Sequence, residues 1–144
     1  MGGRSPEHEI SLISGREVVR NLDKSKYEVL PIVISRTGKG WQLVSKEKID
    51  LVFIAMHGPY GEDGRLQGML EFLNIPYTGS GVLASALGMD KFLFRKVLKS
   101  EGIPVPRFVA IKKGELGRKV FKDLAKPPYF VKPHNQGSSI GTTI

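Results

Sequence analysis

Two lysines and a glycine-rich loop are the residues of this sequence best suited to bind anionic groups. Lys91 begins a predicted helix, and Lys132 ends the short apolar run 129–131. A lysine ammonium is a compact charge that can meet a phosphate, and Gly137-Ser138-Ser139 can present backbone N–H groups and hydroxyls to anionic oxygens. Lys132 and the loop together indicate a phosphate site. For Lys91, a solvated surface position is the alternative, because most single lysines at helix starts are exposed.

Two other side chains suit a ligand that carries an ammonium or a carboxylate. Glu7 lies in the first turn of a helix that we predict to begin with Ser5 as cap and Pro6 at its first position. Its carboxylate can bind an ammonium, but complementing the helix dipole is the alternative that residue chemistry alone favours. His57 directly follows the most apolar segment, and ligands of open α/β sheets collect beyond the carboxyl ends of strands. For His57 the pattern therefore favours a functional role.

The loop after His57 also contains Glu62 and Asp63, which are adjacent acids in a glycine-rich sequence. Either one can cap the helix that we predict from Arg65 onward. For Asp63, capping and ligand binding are equally compatible with the sequence.

Strands that alternate with helices must position these groups, and this order predicts an α/β fold. The strands are expected at 28–35, at 50–56 as the best buried strand, at 108–111, at 129–132 and from 142 onward. The helices are expected at 5–21, with an apolar face that includes Ile10 and Ile13, at 65–73, up to Leu87, at 90–100 and at 116–125.

Charge and composition narrow the classes of function. Residues 90–144 contain twelve lysines and arginines against four acids, whereas residues 1–89 contain ten of each, so the formal net charge of +8 lies in the second segment. Such a segment attracts phosphate, but its aromatic residues do not alternate with the lysines as a nucleic-acid stacking platform would need. The chain has no cysteine and no apolar run of about 20 residues. We therefore expect a cytoplasmic protein without membrane or nucleic-acid partners.

Three stretches, GGRSPEHEISL, HGPYGEDGRLQGMLEFLNIPYTGSGVLASALGMDK and FVKPHNQGSSIG, occur in this order. Together they resemble the D-alanine–D-alanine ligases of the ATP-grasp superfamily, and the resemblance covers nearly the whole chain. It implies a Rossmann-like (pre-ATP-grasp) N-terminal domain at 1–87 and the beginning of an ATP-grasp domain at 88–144, both incomplete.

The resemblance implies an enzyme that uses ATP to join two D-alanines for peptidoglycan synthesis. ATP would activate the carboxylate of the first D-alanine as an acyl phosphate, which the amine of the second would attack. Mg²⁺ would neutralise the phosphates. Its ligands are expected beyond Ile144, and no metal ligand is expected within the chain. A homodimer is expected for the complete enzyme.

The same resemblance assigns roles to individual residues. Glu7 corresponds to the carboxylate that holds the ammonium of the first D-alanine, His57 to a histidine near that substrate, and Ile10 to an apolar residue lining its site. Ser138 corresponds to a catalytic serine hydrogen-bonded to the glutamate. Lys91 and Lys132 correspond to the two lysines on the ATP phosphates.

Relative to this family the sequence lacks a first strand before Gly2 and everything after Ile144. We therefore expect the 144 residues alone to be marginally stable and to show no ligase turnover, and a non-catalytic remnant that binds nucleotide weakly or not at all is the alternative. The second substrate, D-alanine, D-serine or D-lactate, is not determined, because the residues that select it are expected beyond Ile144.

Overall fold

The computed structural model describes residues 1–42, 44, 48–112, 114–115, 124 and 126–144. Four helices are defined there: α1 (His8–Asn21), α2 (Arg65–Phe72), α3 (Val82–Met89) and α4 (Lys91–Ser100). None of the described helices is both long and apolar enough to cross a membrane.

The β-structure of the described residues consists of three isolated bridges. Gly2 pairs in parallel with Ile34, and Val52 pairs in parallel with Tyr77. The third bridge joins Val131 and Thr143 in antiparallel orientation. The two parallel bridges agree with the predicted α/β arrangement, in which parallel pairing requires a crossover between strands.

The observed β-segments are therefore much shorter than the predicted strands. The prediction for 28–35 is reduced to one bridge near its end, and 108–111 forms no bridge among the described residues. The prediction that 50–56 is the best buried strand is wrong for one of its faces, because the side chains of Leu51 and Phe53 are 54% and 52% exposed. A continuous apolar run suggests burial on both faces. Here Val52 and Ile54 pack against the core, whereas on the other face Ala55 is buried but Leu51 and Phe53 are exposed.

Helix α1 ends at Asn21 as predicted but begins two residues later than expected. Ser5 to Glu7 form a turn, in which the Ser5 Oγ accepts from the Glu7 N–H at 2.8 Å, and Glu7 occupies the capping position. The apolar residues Ile10 and Ile13, which the sequence places at helical spacing, are both more than half exposed.

The buried face of α1 is instead formed by small and polar residues, namely His8, Ser11 and Gly15. A Cβ on Gly15 would lie 2.6 Å from the Met1 side chain, so the helix axis runs close to the N-terminal segment. Close approach favours small residues at this contact, and the larger isoleucines therefore point away from it.

The hydrophobic core lies in the first half of the chain. Its buried members are Ile34, Val44, Met56, Leu66 and Leu70, and partly buried side chains from 49–54 and 69–77 pack around them. Helix α2 contributes Leu66 and Leu70 from one face, as its sequence predicted. This core supports the ends of the segments that carry the candidate site.

Helices α3 and α4 follow the core closely in sequence and pack against each other. Asp90 separates them and caps α4, since its carboxylate accepts from the N–H groups of Phe92 and Leu93. Both helices agree with the sequence predictions to within about two residues. The helix predicted at 116–125 lies almost wholly outside the described residues.

Candidate active site

One open cavity of about 730 Å³ lies where the two halves of the chain meet. The first half contributes polar and apolar side chains around the end of the 50–56 segment, including Met56, His57, Glu62 and Gln67. The second half contributes the side chains and loop that were expected to bind phosphate, including Lys91, Lys132, Gly137 and Ser138. The cavity therefore joins groups that lie up to 82 positions apart in the sequence.

Glu7 does not line the cavity itself but lies next to Gly137, which does, and it is 7% exposed. Its Oε2 atom is buried and has no hydrogen-bond partner among the described residues. Buried carboxylate oxygens are normally paired, because an unpaired one has lost its hydration without compensation. Glu7 is therefore well suited to receive a donor from a ligand.

Two glycines make room for this carboxylate. A Cβ on Gly58, whose φ is +71°, would overlap Glu7 Oε2, and a Cβ on Gly137 would lie 2.9 Å from the same oxygen. The loop that begins at His57 and the loop that contains Ser138 thus close on Glu7 from two sides. The structure places Glu7 beside both loops that the sequence had singled out.

His57 is held by contacts with α1 and with its own loop. Its backbone N–H donates to Ser11 Oγ at 2.9 Å, and its Nε2 atom lies 2.8 Å from Ser14 Oγ. Its Nδ1 atom lies 3.8 Å from Glu62 Oε1. The ring is half-buried and lines the cavity, so it can meet a ligand there.

The two acids of this loop have different roles. Glu62 Oε2 accepts from the Gly58 N–H at 2.6 Å, which folds the loop back on itself. Asp63 accepts from the N–H of Tyr60 at 3.0 Å and from that of Arg65 at 3.3 Å. Asp63 therefore stabilises the start of α2, and Glu62 lines the cavity.

Lys91 and Lys132 both face the cavity from its second side. The Lys91 N–H donates to the His134 carbonyl at 2.9 Å, and its ammonium donates to the Gln136 carbonyl. Burial lowers the pKa of Lys91, the charges of Lys132 and Arg95 lower it further, and Asp90 opposes them. The two ammonium groups thus form an electropositive region, and a bound anion would offset the repulsion between them.

Ser138 lines the cavity in a left-handed backbone conformation with φ +49°, directly after Gly137, which contacts Glu7. Two expected site residues, Glu7 and Ile10, do not belong to the cavity lining. Glu7 lies directly behind Gly137, which does line it, whereas Ile10 is not brought near it by any described contact. The Ile10 side chain is 51% exposed on α1.

Sequence reasoning missed Ser11 and Ser14. Together with Glu7 they form a polar stripe with spacings of four and three residues, which places all three on one side of the helix. This spacing was visible in the sequence and could have indicated a functional face.

The family model described as "D-ala D-ala ligase N-terminus" matches residues 1–48 and 42–80, which is more than half of the chain. This chain belongs to the D-alanine–D-alanine ligase N-terminal family. A D-alanine–D-alanine ligase of Desulforudis audaxviator (strain MP104C) is 50% identical over 146 residues, which cover the whole chain and 47% of that relative. The chain thus spans about half the length of the curated relatives it matches.

Solved structures of two ligases resemble this chain closely. The first is a Bacillus anthracis D-alanine–D-alanine ligase in complex with ATP, with a TM-score of 0.82 and 42% identity over 94% of this chain and 46% of that one. The second is the VanG D-Ala:D-Ser ligase of Enterococcus faecalis, with a TM-score of 0.80 and 34% identity over 99% of this chain and 53% of that one. These similarities confirm the predicted fold class, in which the chain corresponds to roughly the N-terminal half of an ATP-grasp ligase.

Proposed function

We propose that this chain forms the N-terminal part of an enzyme that uses ATP to join two D-alanines into D-alanyl-D-alanine. The observation that carries the proposal is the unpartnered Oε2 of buried Glu7, which lies beside the cavity that also contains Lys91 and Lys132. An amino acid and a nucleotide phosphate require opposite charges from their binding sites, and the cavity offers both.

On the acidic side, Glu7 binds the ammonium of the first D-alanine through a charge-assisted hydrogen bond. His57 lies in the adjoining loop and meets the carboxylate of the same substrate. Ser138 follows Gly137 on the other flank of Glu7, where its hydroxyl acts beside the reacting groups. Ile10 completes the site only if α1 or its surroundings rearrange, because its side chain faces away from the cavity.

On the basic side, Lys91 and Lys132 hold the phosphates of ATP. ATP supplies the phosphoryl group that activates the substrate carboxylate. A nearby phosphate favours the charged form of Lys91, which burial and Lys132 disfavour in the free protein. Fixed ammonium groups of this kind contribute electrostatic stabilisation without reorganisation during the reaction. Mg²⁺ ligands are expected beyond Ile144.

The boundary between the two proposed domains, 1–87 and 88–144, falls at the end of α3. Residues that choose the second substrate are expected beyond Ile144, so the proposal commits to D-alanine only for the first site. Peptidoglycan synthesis in the cytoplasm by a homodimer is the corresponding cellular proposal for the complete enzyme.

A chimera tests this function directly. Residues 1–144 replace the matched half of the Bacillus anthracis ligase, and D-alanine-dependent ADP release and dipeptide formation are measured. We expect turnover from the chimera and none from the 144 residues alone. Glu7→Gln in the chimera should abolish turnover, whereas the matched exposed change Glu9→Gln should preserve it. A folded chimera without dipeptide formation would contradict the proposal.

A further inference from the structure

The imidazole ring of His57 stands between helix α1 and the cavity, with a different partner at each nitrogen. Ser14 Oγ lies 2.8 Å from Nε2, and Glu62 Oε1 lies 3.8 Å from Nδ1. His57 and Glu62 line the cavity, whereas Ser14 does not. Ser14 therefore contacts the ring from the side of α1, and Nδ1 lies on the side of Glu62, which lines the cavity.

The hydrogen-bonding requirements of these partners determine where the ring proton belongs. A neutral imidazole donates from one nitrogen and accepts at the other, and a carboxylate only accepts. The proton is thus better placed on Nδ1, beside Glu62, while Nε2 accepts. The Glu62 carboxylate cannot readily follow a moving ring, since its other oxygen accepts from the Gly58 N–H at 2.6 Å.

Ser14 has a hydroxyl proton available for this bond. Serine hydroxyls within helices often donate to the carbonyl four residues earlier, as Ser11 does to the Glu7 carbonyl at 3.1 Å. Ser14 is different, because its one hydrogen bond within the described part of the chain is to His57. The Ser14 hydroxyl can therefore donate to Nε2 without giving up another partner.

Helix α1 also fixes the backbone that carries the ring. The His57 N–H donates to Ser11 Oγ at 2.9 Å, and Ser11 is fully buried. Ser11 and Ser14 are about one helical turn apart, so a single rigid element holds both the backbone and the ring of His57.

We propose that Ser14 is a positioning residue, whose hydroxyl donates to Nε2 and holds His57 as the Nδ1–H tautomer, facing the cavity with a hydrogen-bond donor. The identity of the ligand rests on the proposed function, in which this donor meets the carboxylate of the amino acid whose ammonium lies at Glu7. The tautomer of the His57 ring does not depend on that function.

Nitrogen-15 and carbon-13 NMR of the imidazole ring at about pH 8.5, where an ordinary histidine is neutral, measures the tautomer in the chain itself. We expect the Nδ1–H form to dominate in the wild type. Ser14→Ala should lower the fraction of Nδ1–H and raise that of Nε2–H, because only Glu62 then favours Nδ1–H and the Nε2–H form prevails in free histidine. Ser14→Thr should restore Nδ1–H, and Ser25→Ala, which removes an exposed serine bonded only to Asp23, should change nothing.

Titration with D-alanine distinguishes the positioning role of Ser14 from the identity of the ligand. We expect Ser14→Ala to weaken binding about tenfold and Ser14→Thr to recover most of the loss. A wild-type ring in the Nε2–H form overturns the inference even if Ser14→Ala fails to fold, and so does a tautomer ratio that Ser14→Ala leaves unchanged. A ring that follows Ser14 but does not respond to D-alanine supports the positioning role and contradicts the proposed substrate.

Discussion

The two halves of the molecule hold their parts of the cavity by different means. All the buried hydrophobic side chains of the described chain lie between Ile34 and Leu70, and the helices α3 and α4 have no buried residue. The segments that carry Glu7 and His57 therefore lie beside a packed core. Hydrogen bonds between His57 and the Ser11 and Ser14 side chains of α1 join residues more than 40 positions apart in the sequence. The acidic side of the site, with Glu7 and His57, is therefore already ordered in the absence of a ligand.

The basic side depends on fewer contacts. Two bonds from Lys91 connect α4 to the 134–136 loop. The bridge between Val131 and Thr143 lies within the segment that carries Lys132 and Ser138. We infer from this difference that the proposed ammonium site around Glu7 is preorganised, and we expect the proposed phosphate site to gain order when its ligand binds. Preorganisation raises affinity because less conformational entropy is lost on binding.

The largest expected effect concerns the core on which the acidic side stands. Leu70 is fully buried, and Leu70→Ala should lower the free energy of unfolding by about 2–5 kcal/mol. The matched change Leu83→Ala in α3, where the side chain is 81% exposed, should cost less than about 0.5 kcal/mol. Urea unfolding followed by circular dichroism measures both. Equal losses of unfolding free energy in the two variants would contradict the difference in packing between the two halves of the chain.

Ligand affinity tests the acidic side itself. Glu7→Gln removes a charge from a buried carboxylate, and D-alanine should bind about ten- to a hundredfold more weakly. Glu9→Gln alters an exposed carboxylate that pairs with Arg36 and should leave binding unchanged. Calorimetry with D-alanine provides the comparison, and indistinguishable affinities for the two variants would refute the role of Glu7.

Amide hydrogen exchange sharpens the contrast between preorganised and ligand-ordered parts. We expect the amides of α4 and of 131–143 to exchange at least about tenfold faster than those of α1 and α2, because few buried contacts oppose their opening. ATP should slow exchange in the first set only. Uniform protection across both sets would show that the basic side is as rigid as the core.

The smallest effect is a pKa change on the basic side. Lys132→Gln removes a like charge, so the pKa of Lys91 should rise towards its ordinary value. Because the folded pKa of Lys91 lies below its unfolded value, protonation of Lys91 opposes folding, and stability increases as the pH rises through the folded pKa. NMR titration of the lysine side chain measures this shift. Lys99→Gln, at the far end of α4, serves as the control and should have little effect.

The sequence was sufficient to predict the motifs, the bounds of α2 and α4 and the meeting of Glu7 with the Ser138 loop. These features depend on local periodicity, on capping residues such as Asp90 or on the family resemblance. The outward orientation of Ile10 and Ile13 was not predictable in this way, because it results from the close approach of Met1 to Gly15. The hydrogen bond between Ser14 and His57 was not predictable from local patterns either, because it joins residues 43 positions apart.

Chemical-shift mapping of the nitrogen-15-labelled chain tests the central claim most directly. We predict that D-alanine perturbs the amides of His57, Gly58 and Gly137, that L-alanine perturbs them less, and that ATP perturbs those of Lys91 and Lys132. Two ligands that perturb one common set of amides, or a D-alanine response away from Glu7, would contradict the division of the cavity into an ammonium side and a phosphate side.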